Sequence, residues 1–74
     1  MHVKVKLFAS LRTFGPAEQW LELPDNTTID IVIKKLRIPT TIRMLMIVNG
    51  EHQHADYALQ NGDELALFPP IAGG

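Results

Sequence analysis

Glu64-Leu65-Ala66-Leu67-Phe68-Pro69-Pro70-Ile71-Ala72-Gly73-Gly74 is the stretch on which the reading of this chain turns. Its first five residues alternate, with Leu65 and Leu67 on one face and Ala66 and Phe68 on the other, as a strand with one buried face requires. The two prolines then fix φ at about −65° and disfavour the helical region for the residue before each of them. A stiff, extended arm over residues 69–74 is therefore expected to leave the strand rather than fold back. Gly73 and Gly74 carry no Cβ, so backbone here can pass through a slot too narrow for a side chain. With Gly74 as the last residue, the arm presents an α-carboxylate that is ionised at neutral pH, its reference pKa being about 3.5. A terminal Gly-Gly arises by chance in roughly one chain in 200 at ordinary glycine usage. The rest of the chain has to decide what it means.

Working back from that strand, Gly62-Asp63 reads as a tight turn and Asp56 to Asn61 as a helical turn. Asn49-Gly50 is the strongest hairpin signal in the chain. It joins a largely buried strand over 43–49, with the apolar run Met44-Leu45-Met46-Ile47-Val48, to a short return arm over 51–54. At the other end, His2 to Phe8 alternates, Val3, Val5 and Leu7 facing one way and Lys4, Lys6 and Phe8 the other. Ala9 to Phe14 suits a turn of helix that Gly15-Pro16 breaks. Gln19 to Leu23 alternates again, Leu21 and Leu23 opposing Trp20 and Glu22, so the first two strands form an antiparallel hairpin with a long connection.

Ile29, Val32, Ile33 and Leu36 fall at i, i+3, i+4 and i+7, one face of a helix. A strand competes, because Ile29, Ile31 and Ile33 also alternate and are β-branched. Thr27 or Thr28 as a cap, Asp30 in the first turn and Lys34, Lys35 and Arg37 near the end favour the helix, with Pro39 as its stop. The order is strand, strand, helix, strand, short strand, strand. That is an α+β plan, a mixed sheet of four to five strands with one main helix packed across it, the first and last strands side by side at its centre.

Seventy-four residues, 46% hydrophobic and 20% charged, make one globular domain over 1–74 rather than a disordered chain. No run approaches the length of a membrane span, the first residues do not resemble a signal peptide, and cysteine is absent. Disulfides, thiolate nucleophiles and cysteine zinc sites are thereby excluded, and a cytoplasmic location is expected. All seven Lys and Arg lie at or before Arg43, while Glu51, Asp56, Asp63 and Glu64 follow it. The arm is thus expected to emerge from an acidic half and to meet a basic entrance, not nucleic acid.

Nothing in the sequence assembles an active site. His52 and His54 share a strand face, yet no third metal ligand accompanies them, and they read as solvated. Asp63 and Glu64 are adjacent and point to opposite faces, which suits a turn better than an acid–base pair. Lys34, Lys35 and Arg37 read as a solvated helix end, and the phosphate-loop and dinucleotide glycine patterns are missing. Trp20 reads as a core residue. Phe68 has two readings, a core aromatic or an exposed docking anchor where the strand becomes the arm.

The motifs Leu7-Phe8-Ala9-Ser10-Leu11-Arg12, Val48-Asn49-Gly50-Glu51, Asn61-Gly62-Asp63-Glu64-Leu65 and Phe68-Pro69-Pro70-Ile71-Ala72-Gly73-Gly74 together resemble the MoaD and ThiS sulfur carriers. The opening Phe-Ala-x-Leu-Arg and the Phe-Pro-Pro look more like the MoaD side. The resemblance implies a ubiquitin-like β-grasp fold and a C-terminal glycine, Gly74, that is adenylated and converted to a thiocarboxylate. It implies sulfur donation in molybdopterin (molybdenum or tungsten cofactor) biosynthesis as a synthase small subunit, not catalytic alone. Gly73, Ala72, Ile71, Pro70 and Pro69 would thread a narrow channel, and Phe68 would meet the partner. The implied partners are an ATP-dependent activating adenylyltransferase of the MoeB/ThiF kind and a MoaE-like large subunit, with neither nucleic acid nor membrane. No cofactor is implied on the chain itself; ATP and a persulfide sulfur donor act through the activating enzyme. A ThiS-like carrier for thiamine thiazole synthesis and a ubiquitin-like modifier forming isopeptide bonds are the alternatives.

Overall fold

Residues 1–70 are described by the structure, a computed structural model. Strand β1 (His2–Leu7) leads through a 3₁₀ helix (Ala9–Phe14) to β2 (Glu18–Glu22). Helix α1 (Ile29–Lys35) follows, then β3 (Leu45–Val48), a two-residue β4 (Glu51–His52) and β5 (Glu64–Phe68). The sheet order is β2-β1-β5-β3-β4, with β1 and β5 parallel and every other neighbouring pair antiparallel. This is the β-grasp arrangement that the sequence leads one to expect, down to the adjacent first and last strands.

The register explains why this pairing is stable. Val5 lies opposite Leu65 and Leu7 opposite Leu67, so the buried faces of two alternating strands coincide. Ile29, Val32 and Ile33 of α1 complete the same apolar cluster, together with Leu11, Leu23, Ile38, Val48 and Leu59. The helix-or-strand ambiguity is resolved by Ile31, which is 49% exposed while Ile29 and Ile33 are buried. A strand would have put all three on one face.

Several local expectations need correction. The helix does not run on to Pro39. It ends as Arg37 turns left-handed at φ 61°, the Arg37 N–H bonding the Lys34 carbonyl and the Ile38 N–H the Ile33 carbonyl. That pair of bonds is a Schellman end, with the apolar C″ residue Ile38 buried as such ends favour. Thr28 is the N-cap residue, its carbonyl accepting the Val32 N–H, but its side chain makes no hydrogen bond to the helix backbone; the hydroxyl donates to the Asp30 carboxylate. The first helical N–H groups are taken instead by carbonyls of a later loop, Ile29 by Tyr57 and Asp30 by Ala55. The same loop forms the Thr28–Ala58 bridge, so residues 56–61 hold an extended contact where a helical turn was expected.

The strand expected over 43–49 is shorter and less buried. Leu45 is 47% exposed, because β3 has an open face like the rest of the sheet. Trp20 is not in the core. It lies on that open face and is 59% exposed, the even-numbered positions of β2 pointing away from the helix.

Candidate functional site

The root of the arm sits at one end of the central strand. β5 stops at Phe68 because Pro69 and Pro70 have no N–H with which to continue a ladder between two neighbours. Leu45 of β3 pairs with Phe68 on one side. On the other, the Phe8 N–H bonds the Leu67 carbonyl at 3.2 Å, and the Phe8 and Phe68 rings stack at 4.2 Å with 11° between their planes. Pro69 and Pro70 lie against a shallow groove lined by Ser10, Leu11, Thr13, Phe14 and Ile42. Ile71, Ala72, Gly73 and Gly74, the threading and chemical residues expected from the sequence, lie outside the described residues.

Of the two readings of Phe68, the structure favours the open face. Phe68 is partly buried and stands outside the cluster formed by Leu65 and Leu67. Phe8 and Leu45 belong beside it, and both are exposed. With Ala66 and Ile47, which face each other across β5 and β3, they make an apolar strip that ends where the arm begins. Phe8 was legible in principle, since it alternates onto the same face as Lys4 and Lys6, and the β1–β5 pairing carries it next to Phe68. Leu45 was not, because an unbroken apolar run shows no faces.

The charge expectation is overturned. Glu64 begins β5 and Phe68 ends it, so the acidic end and the arm stand about 13 Å apart along the strand. Glu51 pairs with Val48, which pairs with Leu65, so it too belongs to the far end. Two of the four acids are also internally partnered. Glu64 reaches Lys6 at 3.2 Å. Asp63 is buried, its carboxylate accepting from Asn49 Nδ2 at 2.9 Å and from the Gln60 N–H at 2.8 Å. The Asn49 side chain in turn accepts the Glu64 N–H at 2.9 Å, which locks the β3–β4 turn to the start of β5. Arg12, in the 3₁₀ helix whose residues line the groove under Pro69 and Pro70, and Arg43, two residues before the Leu45 that pairs with Phe68, belong to the end of the sheet from which the arm leaves. Position in the sequence misled because β5 runs away from its own acids.

Among the described residues no self-contained chemistry is gathered at this root. The rings of His52 and His54 meet edge to face at 5.9 Å, and among the described residues no three potential ligands converge. The same residues hold no helix long and apolar enough to cross a membrane.

The model of the ThiS family matches residues 5–74, nearly the whole chain. The chain belongs to the ThiS family. Among curated proteins, this ThiS-family chain is 32% identical to the molybdopterin synthase sulfur carrier subunit of Dictyostelium discoideum, over 96% of this chain and 94% of that protein. It is 31% identical to the protein of the same name from Arabidopsis thaliana, over 100% of this chain and 84% of that one. Among solved structures it resembles the small archaeal modifier protein 1 of Haloferax volcanii, with a TM-score of 0.80 at 27% identity over 95% of this chain and 98% of that one. The ubiquitin-like fold and the carrier family expected from the sequence are therefore those found.

Proposed function

We propose that this ThiS-family chain is a sulfur carrier that works through the carboxylate of Gly74 in molybdopterin formation. In this reading an activating adenylyltransferase transfers AMP from ATP to the carboxylate, releasing pyrophosphate and leaving a mixed anhydride with a good leaving group. The terminal sulfur of a persulfide donor then displaces AMP to form an acyl disulfide. A thiol cleaves its S–S bond, leaving with the donor's sulfur as a disulfide, and the arm ends as a thiocarboxylate, whose sulfur is a softer nucleophile than the oxygen it replaces. The large subunit of the synthase receives the threaded arm, and the sulfur passes to a pterin precursor. The chain is the carried reagent and the partner supplies the catalytic groups.

The observation that carries this reading is the abrupt end of the central strand at Phe68. Two prolines direct the chain off the sheet, on a domain whose full-length relatives are named as sulfur carrier subunits. The exposed strip of Phe8, Phe68 and Leu45 beside the arm is the docking surface in this proposal, and Arg12 and Arg43 favour an acidic rim on the partner. A protein-modifier role is the second reading, favoured by the likeness to the archaeal modifier. Both readings require activation of Gly74.

Gly73→Val tests the threading they share. The branched side chain should block a channel cut for bare backbone, while residue 73 comes five residues after Phe68, the end of the last strand, in the sequence. The expected result is an unchanged unfolding temperature with loss of ATP–pyrophosphate exchange by the activating enzyme. Exchange at the parent rate would overturn the threading argument.

A further inference from the structure

Trp20 is the exposed aromatic that the arm leaves unexplained. It sits at the middle of β2, which pairs with β1 and, among the described residues, with no other strand. The hydrogen bonding of the β1–β2 ladder fixes which way the backbone of β2 points. The Leu7 N–H bonds the Ala17 carbonyl at 3.0 Å, and the Leu23 N–H bonds the Met1 carbonyl at 2.8 Å. In an antiparallel ladder such pairs alternate. Ala17, Gln19, Leu21 and Leu23 therefore turn their amide groups toward β1. Glu18, Trp20 and Glu22 turn theirs outward, to the free edge. The same three residues carry their side chains on the open face of the sheet, all exposed. The edge thus offers unpaired backbone donors and acceptors together with a carboxylate–indole–carboxylate row.

The charges decide what can pair there. A second copy docking edge to edge about Trp20 would place Glu18 opposite Glu22 on both sides of the two-fold, and like charges directly opposite are destabilising. β1 shows the pattern that does fit. His2, Lys4 and Lys6 lie opposite Glu22, Trp20 and Glu18, and Lys4 Nζ reaches the Glu18 carboxylate at 2.7 Å. Below the edge, a groove of about 530 Å³ is lined by Leu23, Pro24, Asp25, Ile31 and Lys35. Ile31 is the exposed apolar residue of α1, and the groove gives it a reason to be apolar. Asp25, also exposed, adds a further carboxylate to this side of the molecule.

We propose that the free edge of β2 docks an extended segment of another protein that carries Lys or Arg at alternate positions on one face and aliphatic side chains on the other. Its backbone pairs with Glu18, Trp20 and Glu22. Its cations meet the two carboxylates and the Trp20 ring, and an aliphatic residue enters the groove beside Ile31. This surface shares the open face with the Phe8–Phe68 strip and adjoins it at the groove that Glu18 and Phe8 both line. The free edge of β2 nevertheless lies two strands from Phe68 and its pairing needs nothing from the arm, so the proposal does not depend on the sulfur-carrier reading.

The test is a titration of the ¹⁵N-labelled chain with the capped peptide Lys-Val-Lys-Val-Lys, with Glu-Val-Glu-Val-Glu as the charge-reversed control. The basic peptide should shift the amides of Glu18, Trp20 and Glu22, slow their hydrogen exchange and change Trp20 fluorescence, and the effect should weaken with salt. Trp20→Ala should weaken binding by about two- to fivefold, the share of an exposed cation–π contact, and Glu22→Lys should weaken it further. Both residues are exposed, so the shifts of Val3, Leu65 and Leu67 should remain those of the parent. Equal binding of the acidic peptide, or shifts confined to the Phe8–Phe68 strip, would overturn the proposal. Shifts at Trp20 that grow with chain concentration in the absence of peptide would show a second copy as the occupant and overturn it equally.

Discussion

The stack of Phe8 on Phe68 fixes the root of the arm, and its strength is measurable. Replacing Phe68 by alanine removes roughly 100 Å² of partly buried apolar surface, about 2.5 kcal/mol at 25 cal/mol per Å². Phe8 is 37% exposed, and Phe8→Ala should cost less, about 1–2 kcal/mol. The rings lie face to face at 4.2 Å, so about 0.5–1.5 kcal/mol of each loss belongs to the pair. The double variant should therefore be destabilised by about 1 kcal/mol less than the sum of the two single losses. A domain of this size has roughly 4–11 kcal/mol to lose, so the single variants remain folded. Urea unfolding of the parent, both single variants and the double variant closes the cycle. Additivity within about 0.3 kcal/mol would mean that the rings do not support one another and that the root is held by the β1–β5 ladder alone. The same variants should release the synthase large subunit faster, by about 30-fold or more for Phe68→Ala if it anchors the interface.

Arg37→Gly should raise stability by about 0.5–1 kcal/mol, since a non-glycine residue pays about 1–2 kcal/mol for the left-handed conformation and glycine repays part of that gain in unfolded-state entropy. A fall in melting temperature would refute the Schellman end. The hydrogen bond from Lys4 holds the Glu18 carboxyl below its usual range, and the hydroxyl of Thr28 does the same for Asp30. A lowered folded pKa means stability that is present above the unfolded value and lost as pH falls through the folded one. The urea midpoint should therefore drop on acidification through the carboxylate range. Lys4, raised chiefly by the same hydrogen bond, contributes below its unfolded value and loses that contribution as pH rises through the folded one. Lys4→Met should flatten the Glu18 share at both ends of the profile and leave that of Asp30.

Periodicity carried most of the fold because the apolar alternation of β1 and β5 and the i, i+3, i+4 spacing of α1 are direct consequences of burying one face. Trp20 escaped it. A strand with one buried face shows which residues are alike, but a lone aromatic in a five-residue strand does not show which face is buried. The helix ends escaped for a different reason. The N–H groups of Ile29 and Asp30 are satisfied by carbonyls more than 20 residues downstream, and no local pattern encodes that. The placement of the acids was misread because charge along the chain does not reveal that β5 carries the arm away from Asp63 and Glu64. The end of β5 was legible in Pro69-Pro70, while Phe8 and Leu45 beside Phe68 emerged only with the sheet register.

Activation of Gly74 is most directly tested by mass. The chain is incubated with the activating enzyme, ATP, a persulfide donor and a thiol reductant, and the C-terminal peptide is isolated and weighed. The peptide must be weighed because oxidation of any of the three methionines would add nearly the same mass to the intact chain. A sulfur carrier gains the difference between one sulfur and one oxygen atom on the peptide ending at Gly74. Isopeptide adducts on lysines of other proteins, with no sulfur at the terminus, would contradict the carrier reading in favour of the modifier. An unchanged Gly74 under conditions in which the enzyme adenylates a known carrier would contradict both.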